Sequence, residues 1–467
     1  MSNLPLFRRA MAHAAAYRDA VATQSRPPAA DYHEMRARAA APLPETGTAP
    51  ETIIDELASL AQDGLMPMTG PRFFGWVIGS SLPTGVAADW LVSAWGQNAA
   101  YHTPTPAVAA IEEVAEGWLL ELLDLPRAAG IGFAVGATVA NGICLAAART
   151  GVLRAVGWDP DADGLFEAPP VHVLIGADAH SSLFASLQLI GFGARRVVTV
   201  ATDADGRMLP AALEAAIAPL EGPKIIIAQA GQINTGAYDP FVEIARIGKA
   251  HGAWLHVDGA FGLWARATPA HRHLTDGLEL FDSWCVDGHK WLQVPYDSGF
   301  AIVRDKAVLA RAMTQWSSYL PSIGQGDRVP SNFVPELSRR ARGVPVWAVI
   351  RHFGRAGIAA LVERHCRQAA QFAARLAAEP GVRILNEVVI NQFVVVFGTG
   401  DGPARRAATE AVIARVQAGG VCFVGGAEWR GEWAMRVSVI SEPTTDADIE
   451  LSAAAIIAAW REVQAAG

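Results

Sequence analysis

A lysine and an aspartate each stand at the end of a short apolar run: Asp258 in LHVDGAFG (255–262) and Lys290 in DSWCVDGHKW (282–291). A short apolar run that closes on polar residues is how a buried strand of a parallel sheet delivers side chains to its carboxyl end. Two neighbouring strands of this kind open on one crevice. There a lysine amine can form a Schiff base with an aldehyde, and a carboxylate can keep a pyridine nitrogen protonated so that the ring accepts electrons. That pairing is what a pyridoxal phosphate site needs. Taken singly each residue has a plainer role, the lysine as a solvated loop residue and the aspartate as a turn former or helix cap. The residues around them favour the chemical role.

Three further stretches carry groups of the same kind. In GFAVGATVANGICLAAAR (132–149) a strand-like run turns through Gly136, Ala137 and Thr138 into a helix, and small residues there let backbone N–H groups approach an anion at the helix's positive end. VHVLIGADAHSSLFASLQLIGFG (171–193) reads as strand, polar loop and a helix closing on glycine, with His180 in the loop. A lone histidine at a strand end is more commonly a cap or a surface residue. RRVVTVATDADGRM (195–208) and KIIIAQAGQINTGAYDPF (224–241) continue the alternation. Strands and helices alternating in this way predict a doubly wound, largely parallel sheet with its ligand at the carboxyl ends of the strands.

HVDGAFG and the D-G-H-K-W run resemble the group II pyridoxal-phosphate-dependent amino acid decarboxylases, whose pattern is H-V-D-A-A followed by a strand and H-K-W. The resemblance covers nearly the whole chain, from about Pro42 onward. It implies the α/β type I fold of pyridoxal-phosphate-dependent transferases, a large doubly wound, mostly parallel sheet domain with a smaller C-terminal α+β domain. Residues 1–100 would form an N-terminal helical segment and substrate wall, 101–350 the large cofactor-binding domain, and 351–467 the small domain. The implied cofactor is pyridoxal 5'-phosphate, with Lys290 as Schiff-base residue, Asp258 on the pyridine nitrogen and Ala260 packed on the ring. His180 would stack flat on the ring and take part in proton transfer. His289 would lie beside the phosphate, with Gly136, Ala137 and Thr138 as the phosphate turn and Gln229 and Asp287 as further cofactor contacts.

Tyr319 falls at the same distance after the lysine as the family's mobile-loop tyrosine, which returns a proton to the substrate carbon and favours an amine as product. The surrounding loop, 311–333, is rich in Ser, Gly and Pro and reads as a lid. On the substrate side the resemblance points to Trp76 in GPRFFGWVIGSS (70–81) as an aromatic wall, and His102 and Arg436 join it as candidates. Two departures from the family pattern bear on outcome: Val139 replaces the usual glutamate after the phosphate turn, and Gln229 and Gln232 stand where threonines are usual. The implied reaction is decarboxylation of an L-amino acid, with Trp76 favouring an aromatic one. Transamination, aldol cleavage or oxidative deamination stay open, with Arg436 then holding the α-carboxylate. A non-catalytic cofactor-binding protein is a third class, and the set Lys290, Asp258, His180 and Tyr319 argues against it.

Composition narrows the field further. The chain has 467 residues, 51% of them hydrophobic and 18% charged, enough for a large buried core in two or three subdomains. A net charge of -8, with no basic cluster beyond SRRAR (338–342), argues against nucleic acid as partner and for a small-molecule substrate. Four cysteines without a C-x-x-C pair predict neither disulfides nor a metal site, which fits the reducing cytoplasm. Arginines and an aspartate interrupt the apolar letters of residues 1–20, so no signal-peptide core is expected there. No apolar run elsewhere is long enough to span a bilayer. The alanine-rich pattern from Leu4 to about Tyr17 predicts a helix too small to fold alone. It fits an exchanged arm of the homodimer, with the active site at the subunit interface, that the resemblance implies. TPAVAAIEEVAEGWLLELLDLP (105–126) predicts a scaffold helix, YDSGFAIVRD (296–305) a strand closing the sheet, and NQFVVVF and AMRVSVIS strands of the small domain.

Overall fold

The computed structural model describes residues 3–23, 27–314 and 327–466. The chain divides into two compact units. One comprises residues 81–370 with 385–394. The other comprises residues up to 80 with 371–384 and 395–467.

The larger unit is built on seven strands: β1 (Gly130–Ala134), β2 (His172–Gly176), β3 (Val197–Val200), β4 (Lys224–Gln229), β5 (Trp254–Asp258), β6 (Ser283–Asp287) and β7 (Gly299–Val303). Their order across the sheet is β1-β7-β6-β5-β4-β2-β3. β2 to β6 pair in parallel, whereas β7 runs antiparallel to both β1 and β6. Ile225 to Ile227, Leu255, Val257 and Trp284 to Val286 are fully buried, as strands covered on both faces require. The YDSGFAIVRD strand therefore does not close the sheet at an edge but enters between β1 and β6. Only a short connection joins it to β6, too short for the crossover a parallel partner would need, so it returns antiparallel. β1 and β6 end up parallel across it, which brings the carboxyl ends of β1, β4, β5 and β6 to one edge.

The helix Pro106–Leu122 takes Pro106 at its first position. Thr105 does not cap it; its hydroxyl donates instead to Asn98 and Tyr101 carbonyls. This helix buries Glu112, whose carboxylate pairs with Arg339 at 2.8 Å and Arg328 at 3.0 Å. Burial pushes the Glu112 carboxyl up, and the two guanidinium charges more than offset it, leaving it below the usual carboxylate range. The SRRAR cluster is thus neutralised: Arg340 pairs with Asp89 and Arg342 with Asp297. The long helix Gly343–Ala377 is broken at Gly354, whose φ of 61° lies in the left-handed region.

A second sheet contains β8 (Val382–Ile384), β9 (Gln392–Phe397), β10 (Gly425–Trp429) and β11 (Glu432–Ser438), in the order β10-β11-β9-β8, and all of it but residues 392–394 falls in the other unit. The expected boundaries at 100 and 350 shift, because residues up to Ser80 belong with the C-terminal strands. Phe73 stacks on Phe423 at 4.8 Å, Phe74 N–H donates to Phe423 O, and Arg72 pairs with Asp448 at 2.8 Å. The first helix runs Leu4–Val21, past the expected end at Tyr17, and packs on the helix Pro50–Ala61 through Arg9, His13 and Asp55. Leu4, Phe7 and Met11 on it stay exposed. Among the described residues no helix is long and apolar enough to cross a membrane.

Candidate active site

The carboxyl ends of β1, β4, β5 and β6 surround a cavity of about 320 Å³ lined by Gly136, Ala137, Thr138, His180, Gln229, Asp258, Ala260, Asp287, His289 and Lys290 among others. Every residue expected on the cofactor side therefore lines one cavity. Gly136 precedes the helix Ala137–Ala155, and a Cβ there would lie 3.0 Å from His289 Cε1, so any larger residue would push the histidine ring aside by a few tenths of an ångström. A second close approach, at Gly231, has φ of 90° and leaves no room for a Cβ beside Phe261.

Asp258 ends β5 at 6% exposure. Its Oδ1 accepts from the Cys285 thiol at 3.3 Å and the Ala260 N–H at 3.2 Å. Asp287 ends β6, and its Oδ1 accepts the Ala137 N–H at 2.6 Å while Oδ2 lies 3.0 Å from Lys290 Nζ and 3.6 Å from His289 Nε2. One buried carboxylate thus joins the phosphate turn, the histidine and the lysine. His289 Nδ1 accepts from Ser298 N–H, which turns Nε2 and its proton toward the cavity. Burial lowers the His289 pKa, so the ring there is neutral near pH 7. Gln229, 9% exposed, is paired in register with Asp258, and its buried Nε2 has no hydrogen-bond partner among the described residues.

His180 takes the capping role and stands on the cavity wall. Its Nδ1 accepts from Ser182 N–H at 3.2 Å at the start of the helix Ser181–Leu189. Behind the site His256 is fully buried, with Nε2 2.8 Å from Asn141 Oδ1 and Nδ1 2.9 Å from Ser283 Oγ. Burial pulls its pKa down to about 3.

The substrate-side candidates do not join this lining. His102 belongs to the same unit, where its buried Nε2 has no hydrogen bond among the described residues and lies 3.8 Å from Asp327. Trp76 and Arg436 belong to the other unit. Trp76 is 49% exposed at φ 54°, beside Val77 at φ 58°, and its ring rests 5.4 Å from that of Phe423. Two consecutive non-glycine residues in the left-handed region carry strain of about 1–3 kcal/mol each. Arg436 on β11 makes no hydrogen bond or ion pair to the described residues, and burial lowers its pKa. Tyr319 lies outside the described residues, as does most of the expected lid. Of that stretch, 311–313 is helical and Pro330–Phe333 is a 3-10 turn.

The residues that meet at the cavity suit pyridoxal phosphate: a lysine, an acid with one oxygen uncommitted, a glycine cradle at a helix start, and an orphaned amide. The family described as "Pyridoxal-dependent decarboxylase conserved domain" matches residues 33–398. The chain belongs to this family. It is an enzyme with pyridoxal phosphate as cofactor, and its reaction is decarboxylation of an amino acid. It is similar to L-2,4-diaminobutyrate decarboxylase of Rhizobium meliloti, 32% identical over 69% of this chain and 64% of that protein, so it spans under two thirds of that relative. Aromatic-L-amino-acid decarboxylase of Sus scrofa is 26% identical over 86% of this chain and 84% of that one. Among solved structures, Oryza sativa TDC with PLP and tryptamine superposes with a TM-score of 0.92 at 22% identity, over 98% of this chain and 97% of that one. Mouse CSAD follows with a TM-score of 0.89 at 20% identity, over 97% and 98%. These two likenesses concern the fold.

Sequence reading missed Cys285, Asn141 and His256 as supports of the site. The H-V-D motif was a signal for His256, but nothing in the letters links it to Asn141.

Proposed function

We propose that this decarboxylase acts on an L-amino acid with an aromatic side chain and releases the amine and carbon dioxide. The reaction rests on one observation, the shared cavity of Lys290, Asp258 and the Gly136 turn. Bound there, pyridoxal phosphate supplies a ring that accepts the electron pair left when the carboxylate departs as carbon dioxide. Lys290 would hold the cofactor through its amine. Asp258, through Oδ2, would keep the ring nitrogen protonated. The Ala137 and Thr138 backbone and His289 Nε2–H would hold the phosphate. Ala260 and His180, both on the cavity wall, would flank the ring. Tyr319 returns a proton to the α-carbon in place of the carboxylate, completing the amine.

The aromatic preference draws support from the strained, half-exposed Trp76 and from the names of several relatives. A second reading, a short polar or amino side chain, draws support from the orphaned Gln229 amide and the diaminobutyrate relative. Arg436, with no partner among the described residues, is the group that transamination would use. The homodimer, with the site at its interface, draws support from the exposed Leu4, Phe7 and Met11 on one helix, and cytoplasmic residence from four free, buried cysteines.

The test is incubation of the cofactor-loaded protein with a panel of L-amino acids that includes phenylalanine, tyrosine, tryptophan and 2,4-diaminobutyrate, with products read by mass spectrometry. An aromatic amine is the expected product. A diamine selects the second reading, and a keto acid with its carboxylate retained overturns decarboxylation as the main outcome. Tyr319→Phe is expected to shift product in aerated buffer from amine to aldehyde, with dioxygen as the oxidant and ammonia and hydrogen peroxide released alongside.

A further inference from the structure

Asp258 is the group on which the electronics of the site depend, and its carboxylate is asymmetrically held. Among the described residues both hydrogen bonds to it fall on Oδ1, one from the Ala260 backbone at 3.2 Å and one from Cys285 Sγ at 3.3 Å. Cys285 sits on β6 directly opposite Asp258 on β5, and it is fully buried. Such a thiol is usually inert core filling. This one has its proton aimed at a carboxylate that lines the cavity, and Oδ2 is left for a ligand. Cys285 does not line the cavity itself, so it would act only through the aspartate.

We propose that Cys285 is a positioning residue: its S–H donates to Asp258 Oδ1 and fixes the rotation of the carboxylate, so that Oδ2 is presented to the ring nitrogen of pyridoxal phosphate. Burial and the nearby Asp258 charge both push the thiol pKa well above its ordinary value, so the sulfur keeps its proton and serves as donor throughout the working pH range. The backbone N–H on the same oxygen cannot do this alone. It follows the turn after β5, whereas the thiol comes from the neighbouring strand and constrains the second direction of the carboxylate plane. The proposal rests on Asp258 facing the ring nitrogen, as set out under Proposed function.

The test compares Cys285→Ala and Cys285→Val, which lack the donor, with Cys285→Ser, which keeps one. Each protein is titrated with pyridoxal phosphate by its visible absorbance. The midpoint of the pH titration of the bound cofactor's absorbance is read in the same samples, and the thermal midpoint is read without cofactor. Both donorless variants are expected to bind the cofactor about ten-fold more weakly, the effect of losing one hydrogen bond to a charged group. Their absorbance midpoint is expected to shift, while the serine variant stays near wild type on both readouts. Wild-type affinity and midpoint in a folded donorless variant would overturn the proposal. So would equal losses in Ser, Ala and Val that track their thermal midpoints, since that pattern is packing alone. Asp258→Ala separates the two levels: it is expected to lose affinity and change the spectrum. If it changes neither, the assignment of Asp258 fails and this proposal with it, whereas a change there with none in the donorless variants sinks only the role of Cys285.

Discussion

His256 offers the sharpest quantitative test of the structure. Its ring is fully buried between Asn141 Oδ1 and Ser283 Oγ, and Ser283 Oγ in turn accepts from Trp254 Nε1 at 2.9 Å. No carboxylate is among its hydrogen-bond partners, so burial dominates and holds its pKa at about 3. In the unfolded chain the same ring titrates near pH 6.5. Between those values the unfolded state binds a proton that the folded state refuses, so stability falls as pH falls through this window and levels off near pH 3. The slope is about 1.4 kcal/mol per pH unit, which amounts to about 2.7 kcal/mol lost by pH 4.5 relative to neutral pH. The perturbation is His256→Gln, which removes the titration and keeps hydrogen-bonding capacity. Urea unfolding of both proteins, without added cofactor so that binding linkage stays out, gives stability at half-unit steps from pH 7.5 to 4.5. The variant is expected to start less stable and to converge on wild type as pH falls, by about 2–3 kcal/mol across the range. Parallel profiles would refute the reasoning, because they would mean that the folded protein protonates His256 as readily as the unfolded chain.

Other predictions follow from the same geometry. Lys290→Ala should abolish turnover and the bound cofactor's visible absorbance, both read in a spectrophotometric assay. Arg339→Ala leaves Glu112 buried with only Arg328 beside it and should cost about 3–5 kcal/mol in chemical unfolding, far more than Arg340→Ala at an exposed pair. Gly136→Ala places a methyl 3.0 Å from His289 Cε1 and should weaken cofactor binding several-fold in an absorbance titration, with the unfolding midpoint close to wild type. Gln229→Thr should change the ranking of substrates in the amino acid panel more than it changes cofactor affinity, because its orphaned amide faces the same cavity.

Much of the site was legible before any coordinates. A parallel strand buried on both faces is a short apolar run, and the polar residue that ends it stands where ligands bind, so Asp258, Lys290 and the Gly136 turn announce themselves in the letters. The resemblance carried Gln229 and His180 to the cavity they line. What the letters withhold is anything that depends on register or on contact between distant segments. Asp287 reaches Ala137 across most of the unit, and only the sheet order puts β6 and β1 close enough for it. The thiol of Cys285 meets Asp258 because β5 and β6 pair in that register; a slip of one residue would turn it to the opposite face.

The N-terminal boundary shows the same limit. The resemblance implied that residues 1–100 stand together, yet residues up to Ser80 are fastened to the C-terminal strands by Phe73 on Phe423 and Arg72 on Asp448. SRRAR reads as a basic cluster, and only packing shows each of its arginines matched with an acid from elsewhere in the chain. The sequence by itself determined the element types and the residues at the strand ends, because hydrophobic periodicity and turn chemistry are local, and the resemblance carried by its motifs supplied the cofactor. Tertiary structure alone decided which carboxylate oxygen is held, which histidine is kept neutral and which charges are paired, because burial and partner choice are properties of the whole fold.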